Sequence, residues 1–315
     1  MTSRRRALTM AVALAALAAV PLAAAALNQP FYLDLFRRIM IFAIAAVSLD
    51  IILGYGGMVS LGHAAYLGIG AYAVAIPALH GLHSAWLQWP LAMALSGLAA
   101  LVIGAVSLRT SGVYFIMITL AFAQMLYYVG ISIEPWGGDD GMRLPGRSRL
   151  GGPLDLGDPH VFYYVVLAIL AVLLLAGERV IHARFGTVIR AVKSNEARLQ
   201  AIGVASFRYK LAVFVLAGAV CGLAGALLAN QTEYLTPSYM HWTRSGDIMV
   251  MVILGGMGTL AGPVLGAAAF LLLENVLSAW TVHWQAILGP LLVLVVLYAR
   301  GGLWSLVPGG GARDG

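Results

Sequence analysis

Apolar runs of membrane length alternate with short polar intervals along the whole chain. The runs fall at 7–27, 39–53, 61–79, 86–108, 112–133, 161–181, 209–230, 246–256, 260–279 and 284–299. About 20 apolar residues, at roughly 1.5 Å rise each, match a hydrocarbon core of about 30 Å. The pattern therefore predicts transmembrane helices. The runs 246–256 and 260–279 read either as two spans or as one re-entrant pair. The fold class is all-α, a polytopic helical membrane protein with about 8–10 transmembrane segments, some of them broken helices rich in glycine.

Four polar intervals punctuate the runs. His80 to Trp89 is short and flanked by aromatic residues, as interfacial segments are. Glu134 to His160 is rich in Gly and Pro, carries Asp139, Asp140, Asp155 and Asp158, and reads as an external loop. His182 to Lys210 is basic, free of proline and helix-prone, which predicts helices at the cytoplasmic face. Gln231 to Ser245 carries Tyr234, Tyr239 and Trp242 and again reads as external. No interval is long enough for a soluble domain, so residues 1–315 form a single transmembrane domain.

Two glycine-rich breaks interrupt apolar sequence: Leu53-Gly-Tyr-Gly-Gly-Met-Val-Ser-Leu-Gly-His63 and Leu254-Gly-Gly-Met-Gly-Thr-Leu-Ala-Gly-Pro263. They share Gly-Met-x-[Ser/Thr]-Leu-[Gly/Ala], with Gly57 matching Gly256 and Leu61 matching Leu260. Unwound backbone is tolerated at membrane depth only where protein or a water-filled cavity satisfies it, so such breaks point to a transport path. Residues at the breaks are the candidates to line it: Asp50, Tyr55, Gly57, Ser60, His63, Gly255, Gly256 and Thr259. Chance similarity between glycine-rich membrane sequences is the competing reading of the repeat.

Composition agrees with this class: 61% of the 315 residues are hydrophobic and 10% charged. The net charge of +6 raises the question of nucleic acid, but placement answers it. With Arg4-Arg5-Arg6 inside and spans alternating, Arg109, the cluster from Arg179 to Lys210, Arg300 and Arg313 also fall inside. That puts 13 of the 19 Lys and Arg in and 6 out, the sign of the positive-inside rule. Arg37, Arg38, Arg143, Arg147 and Arg149 land outside, against that trend. The basic start, apolar stretch and Ala23-Ala24-Ala25 look like a signal peptide, yet the stretch is long enough to cross, and a retained first helix is the expectation. The single cysteine, Cys221, offers no intrachain disulfide and reads as a packing residue.

Each candidate has a plain structural reading beside the functional one. His63 either lines a polar path or bonds at a helix end. Asp50 and Glu274, acids within apolar runs, either shape a pathway or sit paired near an interface, because an unpaired charge in lipid costs several kcal/mol. Gly218-x3-Gly222 and Gly262-x3-Gly266 read as close helix contacts. Met249, Met251 and Met257 read as core filler. No G-x4-G-K-[ST] occurs, and Gly186 to Ser194 lacks the glycine before Lys193, so the chain has no P-loop. Neither H-E-x-x-H nor G-x-S-x-G is present. An enzyme is not expected.

The segment 184–203 sets small residues (Ala191, Ala197, Ala201, Gly203) beside Arg190, Lys193, Asn195 and Glu196. One reading is a basic stretch on lipid headgroups, but such helices carry a broad apolar face. The other is a short helix that fits a groove on a partner protein.

Leu53 to Tyr72, Gly112 to Gln124, Gly137-Gly-Asp-Asp-Gly141, Phe185-Gly through Phe207-Arg-Tyr-Lys210, and Gly255 to Pro263 together resemble the LivM-type permeases of branched-chain amino acid ABC importers. The resemblance spans nearly the whole chain. It implies a permease domain with a periplasmic loop at 134–160 and a cytoplasmic coupling loop at 182–210, in the bacterial inner membrane. It also implies a second, LivH-type permease subunit, two cytoplasmic ATPase subunits that bind the ATP and Mg, and a periplasmic solute-binding protein. This chain would hold no cofactor of its own. Arg190, Lys193, Asn195, Glu196, Ala197 and Gly203 would then dock on an ATPase. Asp50 stands where the family often has Asn, and the spacing of Glu196-Ala197 and Gly203 differs by a residue from the general importer loop. The function expected is ATP-driven import of branched-chain amino acids or related small polar solutes. The alternative is a secondary transporter driven by an ion gradient, for which Asp50 and Glu274 are the available coupling ligands.

Overall fold

The apolar runs become helices, and the polar intervals fall between them, the one at 182–210 forming a further helix. The computed structural model describes residues 2–26, 29–151, 155–298 and 301–306. In chain order the helices are α1 (Thr2–Ala26), α2 (Pro30–Asp50), α3 (His63–Leu79), α4 (Ala85–Ser107), α5 (Val113–Ser132), α6 (Pro159–His182) and α7 (Arg184–Ala201). They continue with α8 (Ser206–Thr232), α9 (Trp242–Gly255), α10 (Gly262–Trp280) and α11 (Trp284–Tyr298). Five of these, α4, α5, α6, α8 and α10, are long and apolar enough to cross a membrane. Strands among the described residues are confined to β1 (Met142–Arg143) and β2 (Tyr234–Leu235), an antiparallel pair with Met142 opposite Leu235.

α2 begins nine residues before the apolar run at 39, at Pro30, whose fixed φ suits the first turn of a helix. The early start takes Arg37 and Arg38 into the helix, and partners make that tolerable. Arg37 pairs with Asp34, donates to the Pro159 carbonyl at 3.4 Å and lies over the Phe162 ring at 5.0 Å. Arg38 reaches Glu274 on α10 at 3.4 Å. Arg147 bonds Glu233 at 2.8 Å and Arg244 bonds Asp247 at 3.4 Å. Four of the six cations expected outside therefore each meet a carboxylate. Arg300 and Arg313 lie outside the described residues.

Two faces of the bundle are distinguished by their contacts. At one end the Ala85 N–H donates to the Arg149 carbonyl at 2.9 Å, and β1 pairs with β2. The intervals after α3, α5 and α8 therefore lie together. α7 occupies the opposite end, below the 24-residue α6. α8 is the central post, with 72% of its apolar stretch buried, whereas α5 has 22%. Glycine makes that post possible. A Cβ at Gly222 would overlap Ser96 of α4, one at Gly225 would overlap the Leu67 carbonyl of α3, and one at Gly218 would overlap Ala100. Cys221 is buried in the same wall, its thiol directed at the His63 carbonyl at 3.4 Å.

α9 and α10 form a tight antiparallel pair, because a Cβ at Gly266 would overlap the Met251 carbonyl and one at Gly255 the Gly262 carbonyl. α10 has 19 residues, about 28 Å, and α9 has 14, about 21 Å. Their turn brings Leu260 against Gly177. Gly177 is five residues, or about 8 Å, from the inner end of α6. The pair thus penetrates most of the thickness that α6 spans. Met251 is buried, as a core residue should be, but Met257 is 54% exposed. The expectation of core filler fails there because Gly256 and Gly258, at φ of 118° and 76°, reverse the chain and aim Met257 off the tip.

Candidate functional site

The inner end of α2 is enclosed on every side, with Ile39 through Asp50 all buried. At Ile51 the helix widens into a π turn, Ile51–Tyr55. The Met58 N–H reaches back to the Ile52 carbonyl at 2.9 Å and the Gly57 N–H to Leu53 at 3.1 Å. Gly57 adopts φ of 68°, a left-handed value that glycine takes without strain. The chain then runs irregularly to His63, where α3 starts. π bulges of this kind recur at functional sites in helices.

The two breaks meet. The Gly258 N–H donates to Asp50 Oδ1 at 2.8 Å, and a Cβ at Gly54 would overlap both groups. Asp50 is fully buried, and its Oδ2 has no hydrogen-bond partner among the described residues. At the second break the Thr259 hydroxyl donates to the Gly256 carbonyl at 2.7 Å. The Thr259 carbonyl accepts from the Gly262 N–H at 3.0 Å, which starts α10. Asp50, Gly255, Gly256 and Thr259 are thereby assembled at one place, with Gly57 and Tyr55 on its margin.

His63 and Ser60 belong to a different surrounding. The Ser48 hydroxyl donates to the Ala45 carbonyl at 2.7 Å, so it must accept from His63 Nε2 at 2.8 Å. This fixes the tautomer with its proton on Nε2. The Tyr66 ring packs edge-on at 5.7 Å, and the Ala64 N–H donates to the Ser245 hydroxyl at 2.9 Å. His63 and Ser60 are both buried. In this conformation His63 is closed within α2, α3 and α8 and touches no open path. Sequence reasoning missed Ser48 and Ser245, since single serines in apolar runs carry no signal of their own.

The segment Arg184–Ala201 divides at Asn195, whose backbone (φ −162°, ψ 95°) interrupts the helix. Its side-chain Oδ1 accepts the Arg198 N–H at 2.9 Å, capping the piece 196–201. Before the interruption, Gly186, Ile189 and Val192 are buried, Arg190 donates to the Ile181 carbonyl at 3.4 Å, and Lys193 Nζ donates to the Gly54 carbonyl at 2.6 Å. After it, Glu196 accepts from Lys210 Nζ and from the Ser206 hydroxyl, both at 2.7 Å. Burial tends to raise the Glu196 carboxyl, but these two donors outweigh it and hold the group below its ordinary range. The opposite side of this piece, with Ala197, Arg198, Ala201, Ile202 and Gly203, is exposed, Ile202 by 74%.

The structure thus sorts the six candidates. Arg190 and Lys193 face this chain's own helices, Asn195 and Glu196 shape the segment, and Ala197 and Gly203 face outward. Lys210 and Ile202 were not among the candidates. Lys210 could have been found from the unpaired Glu196, whereas an isoleucine beside glycine gives no hint of exposure.

Comparison with known proteins adds the following. The family model described as "Branched-chain amino acid transport system / permease component" matches residues 31–299. The high-affinity branched-chain amino acid transport system permease protein LivM of Salmonella typhimurium is 26% identical over 293 residues, 86% of this chain and 69% of that protein. The Escherichia coli K12 protein of the same name matches to the same extent. The xylose transport system permease protein XylH of Escherichia coli K12 is 33% identical over 138 residues, 41% of this chain and 35% of that protein. No solved structure matches the chain.

Proposed function

The chain belongs to the branched-chain amino acid transport system permease family, and from that premise we propose that it is a membrane-spanning subunit of an ATP-driven importer of branched-chain amino acids. Leucine, isoleucine and valine are the solutes of this reading. The LivM relatives, similar over 86% of the chain, favour them over the sugar of XylH, similar over 41%. The chain works in the bacterial inner membrane beside a second, LivH-type permease. Two cytoplasmic ATPases hold the nucleotide, and a periplasmic protein delivers the solute.

The observation that carries the proposal is the two-sidedness of the coupling segment. Its inner side is fastened to the bundle through Lys193 and Glu196, while Ala197, Ala201, Ile202 and Gly203 stand exposed at the tip. Small residues around one apolar side chain suit insertion into a groove on a partner. Nucleotide acts on such a machine only through different affinity for its two states. A shift of the tip is passed through the inner piece to Gly54, and so to the two breaks that border the path. Asp50, Tyr55, Gly57, Gly255, Gly256 and Thr259 line its inner end, and Ser60 and His63 support the helix that starts there.

The test is uptake of labelled leucine by liposomes holding all the subunits. Uptake that requires both ATP and the ATPase subunits supports the reading. Gradient-driven uptake by the permeases alone overturns it, and uptake of xylose but not leucine overturns the solute. In the same vesicles Ile202→Glu should leave ATP hydrolysis in place and lower uptake about tenfold or more, as loss of a buried interface anchor does.

A further inference from the structure

The Gly54 carbonyl has lost its helical partner. In a regular helix it would accept from the N–H four residues on, that of Met58, but the π turn sends that N–H to the Ile52 carbonyl at 2.9 Å. Lys193 Nζ takes the vacated place at 2.6 Å. Its stem crosses Gly57, where a Cβ would meet Lys193 Cγ at 3.0 Å and press on it. Gly54, capped in this way, is also the residue whose missing side chain lets the Gly258 N–H reach Asp50 Oδ1 at 2.8 Å. One lysine of the surface segment, the first break and the second break are therefore joined in series.

We propose that Lys193 is a positioning residue, a latch that holds the two glycine-rich breaks against each other at the inner end of the bundle and lets them part when α7 moves. It is not an ATPase contact, because its ammonium is engaged on this chain's own backbone. The chemistry suits a latch better than a permanent brace. A charge-assisted hydrogen bond contributes more than a neutral one, but Lys193 is exposed at the surface and water competes for the same ammonium. The bond is strong enough to set the resting position and weak enough to break in each cycle. The inference deepens the importer reading and rests on it only for what moves α7.

The test is hydrogen–deuterium exchange on the full chain in its complex, in lipid nanodiscs, for Lys193→Met and Lys193→Arg. With Lys193→Met, amides in 54–62 and 256–261 should exchange about tenfold faster, while those of α4 stay unchanged. Lys193→Arg, which keeps a long cationic donor, should restore both segments. Unchanged exchange at 54–62 overturns the latch, and so does faster exchange there without any change at 256–261. Should Lys193→Met also raise exchange in α4, the variant has unfolded. Lys193→Gln, which keeps a donor on a shorter stem, is then read by the same criteria. Leucine uptake separates the two claims. If the natural complex takes up no leucine with ATP, the importer reading falls while the exchange result still decides the latch.

Discussion

The two breaks carry the same hexapeptide pattern and yet differ in nearly every structural respect. At the first, Met58 is 8% exposed and the chain leaves α2 through a π turn inside the bundle. At the second, Met257 is 54% exposed and α9 ends in a plain reversal. What they share is a left-handed glycine at the matched position, φ of 68° at Gly57 and 118° at Gly256, followed by a helix start within about six residues. The shared residues therefore specify the reversal, and the neighbours specify its burial. Lys193 and Asp50 both serve the first break, and the second docks onto what they build. A repeat in sequence need not mean a repeat in duty.

The largest test of that contrast is Gly54→Val. Its side chain has no room beside Asp50 and Gly258, so melting should show a loss of about 3 kcal/mol or more. Gly57→Val, at a left-handed position faced only by the flexible stem of Lys193, should cost less, about 1–2 kcal/mol. Equal losses would remove the distinction between a glycine held against backbone and one held against a flexible side chain. Next, Met58→Ser should cost about 2–3 kcal/mol and Met257→Ser within about 0.5 kcal/mol in the same assay.

Asp50→Leu should cost about 1–3 kcal/mol, because it strips the Gly258 N–H of its acceptor. Asp50→Asn keeps an oxygen in place and should retain leucine uptake within about threefold. Equal uptake by the two variants would show that the join between the breaks is idle. The smallest effect concerns Glu196, which steadies the segment that reaches the first break. Its carboxyl titrates lower in the folded chain than in the unfolded one. Its contribution is therefore present above the ordinary glutamate value of about 4.3 and is lost as pH falls through the lowered folded value. The pair with Lys210 is a third exposed on the Glu196 side, so screening keeps its worth under about 1 kcal/mol. Melting of Glu196→Gln should lie below the natural chain at pH 7 and converge with it once pH has fallen well below the ordinary glutamate range.

Much of this architecture was legible from the chain. Apolar length gives the helices, because lipid leaves the backbone no other way to satisfy itself. Gly-x3-Gly marked real contacts at Gly218, Gly222 and Gly266, since only a missing Cβ admits the facing helix. Glu274 was readable as a paired acid, but its partner was not, because Arg38 lies 236 positions away and pairing over that distance leaves no local trace. The same limit hid the join between Asp50 and Gly258, a bond to a backbone N–H that any residue could supply. The apolar pattern places the start of α2 too late, because arginines count against a span until their partners are known. His63 stood out as a polar residue beside a break, yet its meaning depended on Ser48, one helix turn before the break and silent in sequence.

The interruption at Asn195 divides the surface segment into two lengths that answer to different constraints. Residues 184–194 must match helices encoded in this same chain, so changes there are compensated by changes elsewhere in one gene. Residues 196–203 leave their outer side exposed, and in the proposed importer fit there would depend on the history of another gene. Exchanging only 196–203 between relatives should thus alter partner choice while leaving the inner end of the bundle as it was, whereas exchanging 184–203 whole should disturb both.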